Sequence, residues 1–337
     1  MTFNYYFQKI FNNKNLTKDE AIHAFDMIVS GKVSNIEISS FLVALSLKGI
    51  NHNELISAVK VLRSKCLKIK TTQVVVDTCG TGGDKKNTLN ISTATAILAS
   101  ACGITIAKHG NKSVSSKSGS SDVLQELGVD INASFKKVEN CLKNIQLCFL
   151  MAPLYHNAMK NVAEVRTKIK IPTIFNLLGP LLNPASANIQ LIGVYSYDWM
   201  MPIAKCLKEL KIKKAWVVHG KDGLDEITTT NKTDVIEVNK SKIRRFQIDP
   251  VKLKLKKAKL SFLKGKNAAY NAKQILNIFS GNYKNVYYKE IVLLNTAAVL
   301  VLSNKCKNLK HGIQIAERNL INGNALKKLN LLRKFTN

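Results

Sequence analysis

The stretch VVVDTCGTGGD, residues 74–84, joins three consecutive valines to a turn that contains three glycines. β-Branched residues favour a strand, and glycines let the backbone turn sharply and bring N–H groups close to an anion. Such a turn lies at the carboxyl end of a strand, where open α/β sheets bind their ligands. The stretch is neither a Walker loop nor a GxGxxG motif, and a glycine-rich turn alone is more often a plain tight turn. The stretch therefore predicts an α/β sheet. Whether its turn binds an anion depends on the segments that follow it in the sequence.

Strand and helix patterns alternate downstream of this stretch. We predict strands at 104–107, 147–151, 190–195 and 215–219, a shorter β segment at 234–238, and helices at 92–101, at 122–127 and from 292 to the end. Alternation of this kind predicts an α/β domain with a central, mostly parallel sheet.

The first seventy residues have helical patterns instead. Thr17 with Glu20 and Ser34 with Glu37 fit capping boxes. Gly31 and Gly49 lie where helix C-caps are expected. We therefore predict a helical segment that ends near residue 70.

The bulk composition is that of a soluble globular chain. Its 337 residues fit one large domain or a large and a small one, and 46% hydrophobic residues supply a sizeable core. Residues 1–15 lack the apolar run of a signal peptide, and the longest apolar stretch, 93–107, is too short to span a bilayer. The seven cysteines form no CxxC pair, which predicts reduced thiols, no structural zinc and a cytoplasmic location without membrane contact.

The net charge of +29 allows two interpretations. Lys and Arg neutralise phosphates, so the chain could bind nucleic acid, or it could carry a general bias towards solvated lysines. The lysines spread along the chain and are densest at 252–266 and 327–334, with few aromatics among them to stack on bases. We favour the second interpretation and expect no nucleic-acid partner, although a basic field would attract a polyanionic substrate.

Two polar segments follow the glycine-rich turn. NTLNIST, residues 87–93, opens a predicted helix, where free N–H groups and the helix dipole favour phosphate; an ordinary N-cap cluster would have the same pattern. KHGNKSVSSKSGS, residues 108–120, combines glycines, cations and many small hydroxyls after a strand. A solvated basic loop needs fewer hydroxyls, so this segment predicts a phosphate cradle in which Lys108 supplies a point charge.

Two further segments could hold a metal ion and a carboxylate. HGKDGLDE, residues 219–226, ends in adjacent Asp225 and Glu226, hard oxygen ligands that suit Mg²⁺ together with substrate phosphates; alone, it would be a solvated acidic turn. Arg166 lies on a predicted helix between MAPLYHNAM, residues 151–159, and FNLLGPLLNP, residues 175–184. Its guanidinium could grip a carboxylate in a bidentate manner, or its stem could simply pack along the helix.

Together these motifs resemble the anthranilate phosphoribosyltransferase family. GTGGD, NIST, KHGN with SSKSGSSD, FNLLGPLLNP and DGLDE stand in that family's order and spacing, and the resemblance extends over about residues 3–335. It implies a fold of the nucleoside phosphorylase and phosphoribosyltransferase type. A helical domain, residues 1–70 with a returning segment near 163–183, would lie beside an α/β domain, residues 71–337, with the active site between them. The resemblance also implies a homodimer joined through the helical domain.

The resemblance further implies a reaction: transfer of the phosphoribosyl group of 5-phosphoribosyl 1-pyrophosphate to the amine of anthranilate, with Mg²⁺, in tryptophan biosynthesis. Lys108 would be the catalytic group, and Ser92, Asp225 and Glu226 would hold the metal ion. Phosphoribosyl pyrophosphate would contact Gly80, Gly83, Asp84, Thr88, Asn90, Ile91, Ser92, Thr93, Lys108, His109, Gly110, Asn111, Lys112, Ser113, Val114, Ser115, Ser116 and Ser120. Anthranilate would contact Gly80, His109, Asn111, Pro153, Tyr155, His156, Arg166 and Gly179.

The chain departs from the family pattern at two positions, and two alternatives stay open. Lys112 and Ser121 stand where the family commonly has Arg and Ala, which affects affinity and not the type of reaction. A pyrimidine nucleoside phosphorylase shares the implied fold and a related lysine loop, but the NIST segment, the adjacent Asp225 and Glu226, and Arg166 argue against it. A nucleic-acid-binding relative on the same scaffold is the non-enzymatic alternative, supported by the charge.

Overall fold

The computed structural model describes residues 1–112 and 118–337. The chain begins with four helices: α1 (Phe3–Phe11), α2 (Lys18–Val29), α3 (Asn35–Lys48) and α4 (His52–Lys65). Both predicted capping boxes are present, and Asn51 with Glu54 forms a third that the sequence analysis missed. In each box two otherwise unpaired N–H groups are satisfied, so α2, α3 and α4 begin at residues that their own sequence specifies.

A seven-stranded sheet follows, in the order β3-β2-β1-β4-β5-β6-β7. Its strands are β1 (Val76–Gly80), β2 (Ile106–Gly110), β3 (Leu147–Met151), β4 (Ile189–Gly193), β5 (Lys214–Gly220), β6 (Thr233–Asn239) and β7 (Lys242–Ile248). The first five strands pair in parallel, and β6 and β7 are antiparallel. The predicted fold class, a helical bundle beside a mostly parallel sheet, is therefore confirmed.

The other helices lie between the strands or after the last of them. They are α5 (Ile91–Ala101), α6 (Ser120–Glu126), α7 (Phe135–Ile145), α8 (Ala152–Tyr155), α9 (Lys160–Ile169), α10 (Phe175–Leu178), α11 (Met200–Glu209), α12 (Ala268–Phe279), α13 (Val286–Leu302), α14 (Leu309–Ile321) and α15 (Asn324–Thr336). Helix α5 is buried on nearly all sides because it lies between the sheet and α13, α14 and α15. Within the described ranges, no helix is both long and apolar enough to cross a membrane.

Strand β1 lies further along the chain than residues 74–76, where it was predicted. The difference arises at Asp77, a fully buried carboxylate in the middle of the sheet. The His109 N–H donates to one of its oxygens at 3.1 Å and the Asn183 amide donates to the other at 2.8 Å. Because both oxygens are satisfied, the strand continues through Asp77 to Gly80.

Strand β2 is also displaced towards the carboxyl side of its predicted range, 104–107. It ends at Gly110, so Lys108 and His109 are strand residues and not members of the following loop. Their backbones are paired in full register with β3. The ammonium group of Lys108 therefore extends from a strand of the sheet and not from a loop.

Strand β7 was missed by the sequence analysis. Its sequence, KIRRFQI, places Arg244 beside Arg245 and so breaks the strict alternation that signals a strand. Both arginines are exposed on this edge strand. Charged side chains on an edge strand discourage pairing with other chains. This accounts for the two adjacent arginines, and because of them a search for alternating apolar residues does not detect the strand.

Two apolar cores lie on opposite faces of the sheet. Leu191 and Trp216 belong to one core together with α5 and α13, whereas Ile192 and Val217 belong to the other together with the bundle and α11. Alternate strand residues point to opposite faces, so β4 and β5 serve both cores. The division into domains at residues 1–70 and 71–337 stays a prediction, because the bundle shares its core with the sheet.

An ion cluster fastens α11 to the bundle. Glu209, at the end of α11, contacts Lys18 of α2, and it lies 3.0 Å from His52 Nε2 and 2.8 Å from Lys60 Nζ of α4. Burial opposes ionisation of Glu209, but hydrogen bonds from Lys18, Lys60 and His52 outweigh it and hold its pKa at about 2. The carboxylate therefore stays charged near neutral pH and keeps the two parts of the molecule in contact.

Candidate active site

The site lies at the carboxyl end of the sheet, where the strand order reverses between β1 and β4. Open α/β sheets bind ligands at this switch point. A cleft of about 520 Å³ opens here. The predicted site residues that line it are Gly80, Gly83, Asp84, Thr88, Asn90, Ile91, Ser92, Thr93, Lys108, His109, Gly110, Asn111, Lys112, Ser120, Pro153, His156, Arg166, Gly179, Asp225 and Glu226.

One end of the cleft is built for an anion. Asn90 is the N-cap of the eleven-residue helix α5, and Ser92 lies in its first turn. The free N–H groups and dipole of a helix N-terminus favour negative charge. Lys108 is only 4% exposed, and its Nζ donates to the Thr78 carbonyl at 2.5 Å and to Ser92 Oγ at 3.4 Å. These bonds hold the ammonium group between β1 and the start of α5.

Three carboxylates, those of Asp84, Asp225 and Glu226, face the same end. The Gly82 N–H donates to Asp225 Oδ2 at 2.9 Å, and the Ser92 N–H donates to Glu226 Oε1 at 3.1 Å. Burial raises the pKa of all three groups, and repulsion from a neighbouring carboxylate adds to the rise for Asp225 and Glu226. Asp84 Oδ2 is buried and has no hydrogen-bond partner among the described residues.

This donor set fits a hard cation. Crowded, buried carboxylates with an unpaired oxygen are relieved by a divalent ion, and Mg²⁺ typically takes one or two carboxylates plus water and substrate phosphates. Within residues 1–112 and 118–337, no group of three or more Asp, Glu, His or Cys side chains is arranged to hold a metal ion by itself. A cation here would therefore need further ligands from the Ser92 hydroxyl, water or a bound phosphate.

Two glycines make room for the acidic loop. Gly80 and Gly193 are register partners at the ends of β1 and β4. A Cβ on Gly80 would lie 2.5 Å from Asp225 Oδ2, and a Cβ on Gly193 would lie 1.5 Å from the Asp225 carbonyl oxygen. Both separations are far shorter than a van der Waals contact, so the loop after β5 crosses the sheet edge only because these two strands end in glycine.

The other end of the cleft has an apolar wall that carries a guanidinium. Arg166 of α9 lies over the Phe175 ring, 5.8 Å from its centroid. Burial lowers the pKa of Arg166 from its ordinary value. In the described part of the chain, no carboxylate pairs with Arg166. A partly desolvated guanidinium of this kind is suited to bind a carboxylate from a ligand.

Two histidines complete this wall. The rings of His109 and His156 meet edge to face, with centroids 5.3 Å apart. Burial lowers the pKa of His109 to about 3 and that of His156 to about 4, so both are neutral near pH 7. His109 Nδ1 lies 3.0 Å from the Gly179 carbonyl, which can only accept, so Nδ1 carries the proton. His109 Nε2 is then an acceptor, and it has no partner among the described residues.

Tyr155 is the predicted site residue that does not line the cleft, so its predicted contact with anthranilate needs correction. Its side chain is 1% exposed and packs edge to face against Phe135, with ring centroids 4.9 Å apart. The short helix α8 directs Pro153 to the cleft and Tyr155 into the apolar core, and His156, which follows the helix, also lines the cleft. The remaining predicted contacts, Ser113, Val114, Ser115 and Ser116, lie outside the described residues.

The cleft also contains residues that sequence reasoning did not single out. Phe175, Asn176 and Lys160 line it. The first two belong to the quoted segment FNLLGPLLNP, whose pattern marked the region without giving individual roles. Lys160 had no signal of its own, because it is one of 51 basic residues in the chain.

The two departures from the family pattern have different surroundings. Ser121 is fully buried, and its Oγ has no hydrogen-bond partner among the described residues, so an Ala would fit there without loss of a bond. Lys112 is exposed and lines the cleft. Of the two, only Lys112 is placed to touch a ligand.

Comparison with known proteins gives the class and then the family. Residues 4–66 match the helical bundle domain of the glycosyl transferase family and residues 72–326 match its a/b domain, so the chain is of the glycosyltransferase class. The anthranilate phosphoribosyltransferase of Petrotoga mobilis is 45% identical over 336 residues, which cover 99% of this chain and 97% of that protein. The chain belongs to the anthranilate phosphoribosyltransferase family.

Solved structures agree with this assignment. Anthranilate phosphoribosyltransferase from Saccharomyces cerevisiae in complex with PRPP and Mg superposes with a TM-score of 0.92 at 31% identity, covering 99% of this chain and 97% of that one. The same yeast enzyme in complex with 4-fluoroanthranilate gives a TM-score of 0.89 at 30% identity, covering 98% and 97%.

Proposed function

We propose that this chain transfers the phosphoribosyl group of 5-phosphoribosyl 1-pyrophosphate to the amine of anthranilate, releasing pyrophosphate, in tryptophan biosynthesis. One observation carries the proposal: a single cleft joins an anion site with acidic neighbours to an apolar wall with a guanidinium. The donor substrate is a polyanion, and the acceptor is an aromatic ring with one carboxylate. The two ends of the cleft thus match the two substrates, and the family supports the same reaction.

The donor would lie across the carboxyl edge of the sheet. The N-terminus of α5, with Asn90 and Ser92, and the ammonium of Lys108 would bind its pyrophosphate. Further contacts would come from the other predicted residues that line this part of the cleft: Gly80, Gly83, Asp84, Thr88, Ile91, Thr93, His109, Gly110, Asn111, Lys112 and Ser120. The three glycines of this set would let backbone N–H groups approach the phosphates closely.

Mg²⁺ would be held by Asp225, Glu226 and the Ser92 hydroxyl. Support comes from the crowding of carboxylates at this end of the cleft and from the unpaired Oδ2 of Asp84. When bound, the ion neutralises charge on the pyrophosphate and makes it a better leaving group.

The acceptor would bind with its carboxylate on Arg166 and its ring against the wall formed by Pro153, His156 and Gly179. Asn111 and Gly80 would contact it where the two substrates meet. The unpaired Nε2 of His109 can accept a hydrogen bond from its amine. This orientation would turn the amine towards the sugar.

The reaction needs no covalent enzyme intermediate, because an aromatic amine is itself a nucleophile. The residues of the cleft would hold amine and sugar in line, which makes the attack effectively unimolecular. As the bond from ribose C1 to pyrophosphate breaks, negative charge grows on the leaving group. Lys108 and the N–H groups of α5 would stabilise that charge, and this would be their catalytic contribution.

The direct test is loss of anthranilate in the presence of phosphoribosyl pyrophosphate, with and without Mg²⁺. We expect metal-dependent formation of N-(5-phosphoribosyl)anthranilate and pyrophosphate. If the folded chain forms no adduct, the proposal fails. Phosphate-dependent cleavage of pyrimidine nucleosides would then favour the phosphorylase alternative, and salt-sensitive DNA or RNA binding near physiological ionic strength would favour the nucleic-acid alternative.

Arg166→Ala should mainly weaken binding of the acceptor. Loss of a charge-assisted hydrogen-bonded pair costs about 1.5–3 kcal/mol, so we expect KM for anthranilate to rise about 10- to 100-fold. KM for phosphoribosyl pyrophosphate should change little, because Arg166 is at the other end of the cleft. Arg166→Lys should not restore affinity, since a lysine cannot reproduce the planar contact with Phe175. An unchanged KM for anthranilate in Arg166→Ala would contradict the role assigned to this residue.

We also propose that the chain forms a homodimer through its helical bundle. Ile36 and Leu47 of α3 are 79% and 84% exposed. They lie about three helical turns apart and therefore on one face of α3. Contiguous exposed apolar patches mark interaction sites, and in a dimer these two side chains would belong to such a patch. Sedimentation should give the mass of a dimer, and Ile36→Glu with Leu47→Glu should give a monomer; a monomeric unchanged chain would rule the proposal out.

A further inference from the structure

We propose that Asn271 is a positioning residue that fixes the direction of the Asn90 side-chain amide, so that Asn90 presents an N–H group to the pyrophosphate of the donor. The inference rests on the proposed function, because it takes the ligand at the start of α5 to be an anion. Asn271 lies on α12, 181 residues away from Asn90 along the chain. Its Nδ2 nevertheless lies 2.8 Å from Asn90 Oδ1.

The direction of each hydrogen bond follows from one backbone group. The Lys266 N–H, which can only donate, lies 2.9 Å from Asn271 Oδ1. The oxygen of Asn271 is thereby placed on that side, and its NH₂ group must face Asn90. Because an NH₂ group only donates, Asn90 Oδ1 accepts. Asn90 Nδ2 is then directed away from Asn271, on the side of Ser118, whose carbonyl oxygen is 3.4 Å away.

The segment that carries this backbone group is itself locked in place. Residues 263–266 run beside the loop that leads into α5, and the Gly265 N–H donates to the Asn87 carbonyl at 2.8 Å. A Cβ on Gly265 would lie 2.6 Å from the Thr88 carbonyl oxygen and 3.0 Å from Asn271 Nδ2. Asn271 is 1% exposed. The Lys266 N–H and the side chain of Asn271 are therefore fixed in place, so the amide of Asn271 cannot turn over.

The main chain of Asn90 is held from the same side. The hydroxyl of Tyr288, a fully buried residue of α13, donates to the Asn90 carbonyl at 3.2 Å. With main chain and amide oxygen both occupied, the remaining freedom of Asn90 is small. An Asn amide can otherwise turn over at little cost, which would set its carbonyl oxygen against a phosphate oxygen and repel the ligand. Asn271 excludes that orientation.

The test replaces the hydrogen-bond donor that Asn271 offers to Asn90 by an acceptor. In Asn271→Asp the carboxylate still accepts from Lys266 but can offer only an acceptor to Asn90, so the Asn90 amide must turn over. We expect the Kd for phosphoribosyl pyrophosphate with Mg²⁺, measured by calorimetry without acceptor, to rise about 10- to 100-fold. Asn271→Ala only frees the amide and should raise Kd less. A purely structural role predicts the opposite order, because Ala removes both hydrogen bonds.

Two further measurements separate the possible outcomes. In an Asn90→Ala background, adding Asn271→Asp should change Kd less than about twofold, since the amide to be turned is gone. Asn324→Asp, which likewise replaces the donor of an Asn–Asn contact, the one from Asn324 Nδ2 to Asn319 Oδ1, should bind like the unchanged chain. A Kd for Asn271→Asp within twofold of the unchanged chain, or an undiminished effect in the Asn90→Ala background, would overturn the inference. If the unchanged chain binds no phosphoribosyl pyrophosphate, the proposed function falls, and the inference with it.

Discussion

Asp225→Asn combined with Glu226→Gln should lower kcat/KM at least about 10³-fold and leave the fold intact. The proposed metal ligation depends on these two carboxylates, and loss of metal-assisted charge stabilisation is worth several kcal/mol, at about 1.4 kcal/mol for each factor of ten. The amides keep the shapes of the side chains, and an Asn at 225 can still accept from the Gly82 N–H. Turnover should therefore be lost without loss of structure.

Thermal unfolding distinguishes this result from misfolding. Asp225 and Glu226 are crowded carboxylates whose burial opposes their charge, so their removal should not lower Tm in metal-free buffer. Added Mg²⁺ should raise Tm of the unchanged chain and not that of the variant. Asp234→Asn on β6, whose partner is Gln247, is a matched control outside the cleft and should keep full activity. A double variant with more than a tenth of normal turnover would refute the metal assignment.

Lys108→Met should lower kcat about 10²- to 10³-fold, the range found when one preorganised charge or donor is removed from a transition state. The ammonium of Lys108 is the cation held at the start of α5, between the Thr78 carbonyl and Ser92 Oγ. Met keeps most of the volume of the stem but supplies no charge to the departing pyrophosphate. KM for anthranilate should change little, because its carboxylate binds at the other end of the cleft.

Lys108→Arg tests the geometry of the same site. Lys108 is 4% exposed, so a larger guanidinium should overpack the space between β1 and α5 and leave activity low. Lys143→Met, an exposed lysine of α7, should be as active as the unchanged chain. Lys108 also lies near the buried carboxylate of Asp77, whose pKa is raised to about 6 by burial although Lys108 lowers it. Some loss of stability is therefore expected in Lys108→Met, and full activity in Lys108→Arg would contradict the steric argument.

The sequence predicted those parts of the site that depend on local chemistry. Glycines after a strand, hydroxyls at a helix start and adjacent acids after another strand each have a local cause, so their positions along the edge of the sheet could be anticipated. The cleft accordingly brings Gly80, Ser92 and Asp225 together. The fold class followed from alternation of strands and helices, which is likewise a property of short windows.

What the sequence did not predict depends on contacts between distant segments. The hydrogen bond from Asn271 to Asn90 joins residues 181 positions apart, and no local pattern marks Asn271 as a partner. Tyr155 was assigned by its motif, but the direction of its side chain is set by Phe135 on α7. The continuation of β1 to Gly80 depended on whether the charge of Asp77 could be buried, and Asn183, from a later segment, makes that possible.

The wall that carries Arg166 has an evolutionary consequence. Of the residues of this wall, Pro153, His156, Arg166 and Gly179 belong to the one connection between β3 and β4 and His109 belongs to β2, whereas the anion site is built from β1, β2, α5 and the loop after β5. Point mutations or a single recombination within that connection can therefore change which nucleophile is accepted. The residues that bind the sugar phosphate need not change. A lineage on this scaffold can diversify its products one side at a time, and a designer can confine a mutant library to the same stretch.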